Sequence, residues 1–374
     1  MTRNITLPII TAVIVVAIVV VLVALFFGAQ SMNRSSSSSN KELSAKVLSS
    51  PSPPFFRLTQ TIPIPNVNGR IDHLAIDIRG QKLFVAELKN NSLDIVDLKA
   101  ARRIHSISSN NGLLNEPQGV VFIPQLNRIF VSNGQDGTVD VFDTKSFSFI
   151  RKIKLPSNDA DNMHYDPNNK LVYVGYGEGS LGIINATSYS IVGDIKLTGH
   201  PESFQIEVQN RVIGQQDQRI FVNVPESNSI AVVNNEKHTI LTTWPIINAQ
   251  NNFPMALDEA NHRLFVSTRD PPKLMVFDSN SGKVVSILDI AKDPDDIFYD
   301  AAKKQIYVSC GEGFINIFQQ QQQQEDANHY NAIASIPTAP GARTSLFASE
   351  LNCFYLAVPH LGNQESEILV YQVG

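Results

Sequence analysis

Residues 171–185 read LVYVGYGEGSLGIIN. An apolar, aromatic-containing run meets a Gly-containing turn and then a second apolar run, the composition of two short antiparallel strands. The aromatic–aliphatic pair at its centre, Tyr173-Val174, recurs as Phe84-Val85, Phe130-Val131, Phe221-Val222, Phe265-Val266, Tyr307-Val308 and Tyr355-Leu356. Successive aromatics lie 42 to 48 residues apart, the length of one four-stranded propeller blade.

Each pair is followed by a further strand: LDIVDL, VDVFDT, LGIINA, IAVVNN, LMVFDS, INIFQQ and ILVYQV. These carry Asp97, Asp143, Asn185, Asn234, Asp278, Gln319 and Gln372 in register, where a side-chain acceptor can hold the next turn. An outer strand then closes each unit, but the chain ends at Gly374 after the seventh middle strand. Leu58 to Ile64 has the outer-strand pattern and precedes the first unit, so the N-terminal strand is expected to complete the last blade and close the ring. The six-Gln run 319–324 is expected to be a solvated loop insertion. The predicted fold is all-β: a seven-bladed β-propeller closed by its N-terminal strand and preceded by one transmembrane helix.

The repeat resembles the YVTN-type (YncE-like) β-propeller family, most closely at Tyr173-Val174-Gly175-Tyr176 and Ile306-Tyr307-Val308-Ser309. The resemblance spans Phe55 to Gly374. It implies an exported or surface propeller acting as a binding or scaffold protein, and it implies no reaction.

Three regions follow. Residues 1–30 contain an uncharged apolar run from Leu7 to Ala29, long enough to span a bilayer and longer than the usual cleaved signal core. It reads as an uncleaved signal-anchor with the propeller on the extracytoplasmic side. Residues 31–54 are rich in Ser and Pro and read as a flexible tether. Residues 55–374 carry the propeller. The net charge of −5 argues against nucleic acid as a partner. Cys310 and Cys353 form no CxxC pair, and the register sets them too far apart for a disulfide. The expected form is a monomer, bound to the membrane through its N-terminal helix.

In a propeller the first side chains of each inner strand line one mouth of the central channel. Alignment on the key aromatic puts Asp72, Gln118, Asp161, Phe253, Asp295 and Arg343 in one ring, with His73, Asn162 and Asp296 in the next; blade four has a longer connection, and matching HPESFQIE to the other strand starts places Glu202 in the first ring. His200 precedes Glu202, and the loops after the second strands add Asn133, Tyr176 and Arg269. So many carboxylates at one mouth repel unless a proton, Arg or cation compensates, which makes the mouth the expected binding site. If a metal is held, Asp72, Asp161, Glu202 and Asp295 are the expected ligands, and an oxygen-rich set suits a single Ca²⁺. No organic cofactor is implied, since no Walker A motif is present. Catalytic residues are not assigned, because GxSxG and HExxH are absent too. The expected function is a binding module that holds a small ligand, glycan or protein at the mouth. The alternatives are a metal-dependent hydrolase of the lactonase type and an envelope scaffold using blade edges.

Overall fold

All seven aromatic–aliphatic pairs fall on the second strand of seven separate four-stranded antiparallel sheets. The computed structural model describes residues 55–108, 112–208, 218–321 and 328–374, all within a unit running from Pro51 to Gly374. The expected anchor and the tether lie outside the described residues. Among the described residues no helix is long and apolar enough to cross a membrane.

Blade 1 shows the plan. An inner strand (Leu74–Asp77) pairs with Lys82–Glu87, then Ser92–Asp97, then the outer strand Arg102–Ser108. Blade 7 differs in how it is completed. Its inner three strands are Ser345–Ala348, Cys353–Val358 and Glu367–Val373, and its outer strand is the N-terminal Phe56–Pro63. Pairing runs from Phe56↔Val373 to Pro63↔Glu367, with a bulge between Leu58 and Gln60. The ring is thus closed as expected, by a strand that begins two residues earlier. Phe56 packs against Tyr307, Phe354 and Tyr371 at centroid separations of 5.0, 5.3 and 5.8 Å. It therefore ties blade 7 to blade 6.

The core lies between blades. One slab joins Phe130 and Val141 of blade 2 to Val172, Val174 and Ile184 of blade 3; another joins Tyr173 and Leu181 to Ile220 and Val222 of blade 4. Both faces of a middle strand are covered, which is why these strands read as continuous apolar runs with no polar alternation.

The third-strand acceptors work as expected in five blades. Asp97, Asp143, Asn185, Asn234 and Asp278 each accept backbone N–H bonds from the turn two or three residues on. Gln319 and Gln372 do something else. Their longer amides reach back, donating to the carbonyls of Lys303 and Asn352 in the preceding hairpin. The Gln run is also not all loop. Gln319 and Gln320 belong to the strand Phe314–Gln320, and Tyr299 donates to the Gln320 amide. Cys310 and Cys353 are free thiols, and burial pushes the Cys310 thiol up to about 12.

Candidate functional site

The mouth is held by one backbone pattern repeated around the ring. Asp72 N–H donates to Ala86, Asp161 to Gly175 and Glu202 to Asn223, at 2.9, 2.9 and 3.0 Å. Each bond pins the ring residue two positions beyond the key aromatic of its own blade. Two residues upstream, Glu116, Asp159, Asn251, Asp293 and Gly341 all adopt left-handed backbone conformations. Asp159 and Asp293 join the site from this turn, through His200 and through Arg269 and Arg343, and Arg70 joins it through Asp72, although the alignment did not single them out.

The charges sort into three groups. In the first, Arg269 and Arg343 clamp Asp293 and Asp295. Arg343 Nη1 lies 2.6 Å from Asp293 and its Nε 3.1 Å from Asp295 Oδ2. Arg269 Nε lies 3.2 Å from Asp293, and its Nη2 also bonds Asp295. The Arg269 guanidinium stacks 3.8 Å above the Phe253 ring, a cation–π contact that fixes its plane. Burial still raises the Asp295 carboxyl above its ordinary range, opposed by Arg343, Arg70 and Arg269.

In the second group, Arg70 pairs with the buried Asp72, and His73 Nδ1 lies 3.8 Å from Asp72 Oδ2. Burial alone would raise the Asp72 carboxyl, but His73 and Arg70 hold it below the usual carboxylate range. Burial likewise opposes charge on His73, yet Asp72, Asp161 and Asp296 carry that imidazole up to about 10. His73 Nε2 lies 2.8 Å from the Asn162 amide oxygen. That bond joins blade 1 to blade 3 past blade 2, where the facing residue is Gly119 and no side chain intervenes.

In the third, His200 Nε2 lies 3.8 Å from Asp161 Oδ2, and its Nδ1 is 2.6 Å from the Gly177 carbonyl. Burial lowers the His200 imidazole, but Asp161, the Gly177 carbonyl and Asp159 raise it to about 9. Burial, with Asp161 adding to it, pushes Glu202 up to about 8. Asp296 rises to about 7 through burial while accepting 2.6 Å from the Ser345 N–H of blade 7.

Two cavities meet here. A small one of about 30 Å³ is lined by Arg70, Asp72, His73, Asp161, Asn162, Glu202, Ser203, Phe253, Asp295 and Asp296. A channel cavity of about 540 Å³ shares His73, Asn162, Ser203 and Asp296 with it and continues along mostly apolar wall: Val120, Met163, Ile297, Phe298 and Phe347 among others. The polar ring is thus the narrow end of a wider channel.

Asn133 and Tyr176 sit elsewhere. Asn133 is fully buried between strands, donating to Thr138 and Asp140, and Tyr176 is buried in the slab between blades 2 and 3. Residues three beyond the key aromatic lie between blades and not at the opening, because a blade buries both its faces. Gln118 is buried and does not line either cavity. Of the four expected metal ligands, Asp72, Asp161 and Glu202 fall in two adjoining three-donor groups, Asp72–His73–Asp161 and Asp161–His200–Glu202. Asp295 falls in neither, being bound by two guanidiniums.

No family model matches the chain. Among curated proteins it is similar to Antigen Lp49 of Leptospira interrogans serogroup Icterohaemorrhagiae serovar copenhageni (strain Fiocruz L1-130), 19% identical over 243 residues, 62% of this chain and 51% of that protein. The chain thus spans about half the length of that relative. Among solved structures it is similar to a chain of Kuenenia stuttgartiensis hydrazine synthase (TM-score 0.68, 15% identity, 83% of this chain and 98% of that one). It is also similar to the RRP9 WD40 repeats (0.69, 8%, 86% and 98%) and to a chain of the mitotic checkpoint complex (0.70, 10%, 91% and 97%). The fold is a seven-bladed, WD40-like propeller.

Proposed function

We propose that this chain is a membrane-anchored, YVTN-type propeller on the extracytoplasmic side that binds a small ligand, or a projecting group of a glycan or protein, at the narrow end of its channel. The observation that carries the reading is the concentration of charge at that end against an otherwise mostly apolar channel wall. Carboxylates there outnumber guanidiniums, so the ring favours a ligand with a cationic group or several hydroxyl donors. The anchor and tether, read from the sequence, suit capture at a distance from the membrane surface.

The test is a thermal-shift and calorimetric screen of the full chain in detergent against diamines, polyamines and oligosaccharides, repeated on Ser203→Trp. Ser203 lines both cavities, and an indole there obstructs the passage between them. Binding that is lost in the variant supports the reading. Binding that survives it moves the interaction to the blade sides and favours the scaffold alternative.

A further inference from the structure

We propose that Asp161, His200 and Glu202 form a site for one divalent d-block cation of the zinc type at the narrow end of the channel. The inference rests on the mouth being a binding site and names a ligand class for it.

The geometry begins with Asp161. It is only 8% exposed, its Oδ1 makes no hydrogen bond, and its backbone is fixed by the Ser132 hydroxyl at 2.6 Å. A buried carboxylate oxygen left without a partner is costly unless a cation or proton meets it. Asp161, His200 and Glu202 each present a donor atom, all within 4.8 Å of one another. Donors at about 2.0–2.2 Å from one tetrahedral ion lie roughly 3.3–3.6 Å from each other, so side-chain rotations that move donor atoms by up to about an ångström close the set.

His200 is already oriented as a ligand. Its Nδ1 lies 2.6 Å from the Gly177 carbonyl, so that nitrogen keeps its proton, and Nε2, which faces Asp161 at 3.8 Å, is the nitrogen that gives up a proton to solvent when a cation takes its place. Metal-bound imidazoles are held by this same outer hydrogen bond. The two carboxylates balance the charge of a divalent ion. The nearby guanidiniums do not compete, because Arg269 and Arg343 are bound to Asp293 and Asp295 and Arg70 to Asp72. The Arg70 pair is also why the neighbouring group Asp72–His73–Asp161 is the weaker choice. One imidazole among three donors selects zinc, cobalt or a similar ion over calcium, which takes six to eight oxygens.

The experiment uses the full chain in detergent, stripped with chelator. Co²⁺ is titrated by its visible absorption, and Zn²⁺ by equilibrium dialysis with elemental analysis. One ion per chain is expected. His200→Gln and Glu202→Gln should each weaken binding at least about 100-fold, since loss of even an outer partner costs roughly 10–100-fold. The exposed-loop control Glu312→Gln should stay within about twofold. Melting curves of each variant without metal establish that it folds, and the wild-type titration stands whatever they show. Wild-type protein that binds neither ion more tightly than about 100 μM overturns the proposal, as does binding of Ca²⁺ alone or equal binding by both variants. If metal binding fails while amine or glycan binding remains sensitive to Ser203→Trp, only this inference falls. Loss of both removes the mouth as a site.

Discussion

Glu87→Gln should stabilise this protein, and more so as pH rises. Glu87 is fully buried. Its Oε2 accepts from Ser92 Oγ at 2.5 Å and Asn90 Nδ2 at 3.2 Å. Its Oε1 and Asp94 Oδ1 have no other partner, and Asp94 Oδ2 is bound by Arg103 at 2.6 Å. A proton shared between the two carboxyls satisfies both orphaned oxygens, and burial, with Asp94 next, pushes Glu87 up to about 9. A carboxyl raised in the folded state binds a proton that the unfolded chain releases, so stability falls as pH climbs from about 4.5 toward 9. At pH 7 the gap from the ordinary value of 4.5 is worth about 3 kcal/mol. Blade 2 shows that the amide is tolerated: Asn133 occupies the same register and donates 3.1 Å to Asp140. Differential scanning calorimetry of both proteins from pH 4.5 to 8.5 should give matching Tm values at the acid end. Near neutrality the variant should melt roughly 5 °C higher, at about 2 °C per kcal/mol for a domain of this size. A pH-independent difference, or a variant less stable throughout, would show that Glu87 is ionised in the folded protein and refute the shared proton.

Three further outcomes are expected. Phe56→Ala should cost about 3–5 kcal/mol, because Phe56 is 3% exposed and joins the closing strand to three aromatics; denaturant melts should show it. Gly119→Ala should cost about 1–3 kcal/mol by overpacking, since a Cβ there would lie 2.4 Å from the Asp161 carbonyl and 2.8 Å from Ser132 Oγ; the variant should also bind mouth ligands more weakly in calorimetry. Cys310, fully buried with a raised thiol, should react with a maleimide only on unfolding, whereas Cys353, partly exposed, should label first; mass spectrometry of the labelled peptides separates them.

The fold was legible because its requirement repeats. Phe84, Phe130, Tyr173, Phe221, Phe265 and Tyr307 are fully buried between blades and Tyr355 nearly so, and a slot that must be filled seven times leaves seven marks at one spacing. Closure was legible for a complementary reason: a missing outer strand at one end and a spare one at the other. The mouth was read in part. Aligning first residues found Asp72, Asp161, Glu202 and Asp295 but passed over Arg70, Asp159 and Asp293. A left-handed turn, not a strand, carries Asp159 and Asp293, and no alternation of apolar residues announces it. The His73–Asn162 bond was invisible for another reason: it depends on a glycine in the blade between.

A chain of seven copies also offers an internal comparison. Where every blade has the same need, the residue type repeats; where the copies diverge, that need is relaxed. Divergence alone does not mark a site, however. Three beyond the key aromatic stand Glu87, Asn133, Tyr176, Val224, Thr268, Cys310 and Val358, and all are buried. They differ because each meets a different neighbour between two blades, so each can be solved locally, as the Glu87–Asp94 and Asn133–Asp140 pairs are. At the ring, Asp72, Asp161 and Glu202 differ in a way that no single blade resolves. Their side chains converge from blades 1, 3 and 4 on one small cavity, and the charges of Asp161 and Asp72 add to burial in raising Glu202. Convergence of divergent residues on the axis is therefore what separates a site from a set of local packing solutions, and it is a property of the closed ring that no one repeat contains.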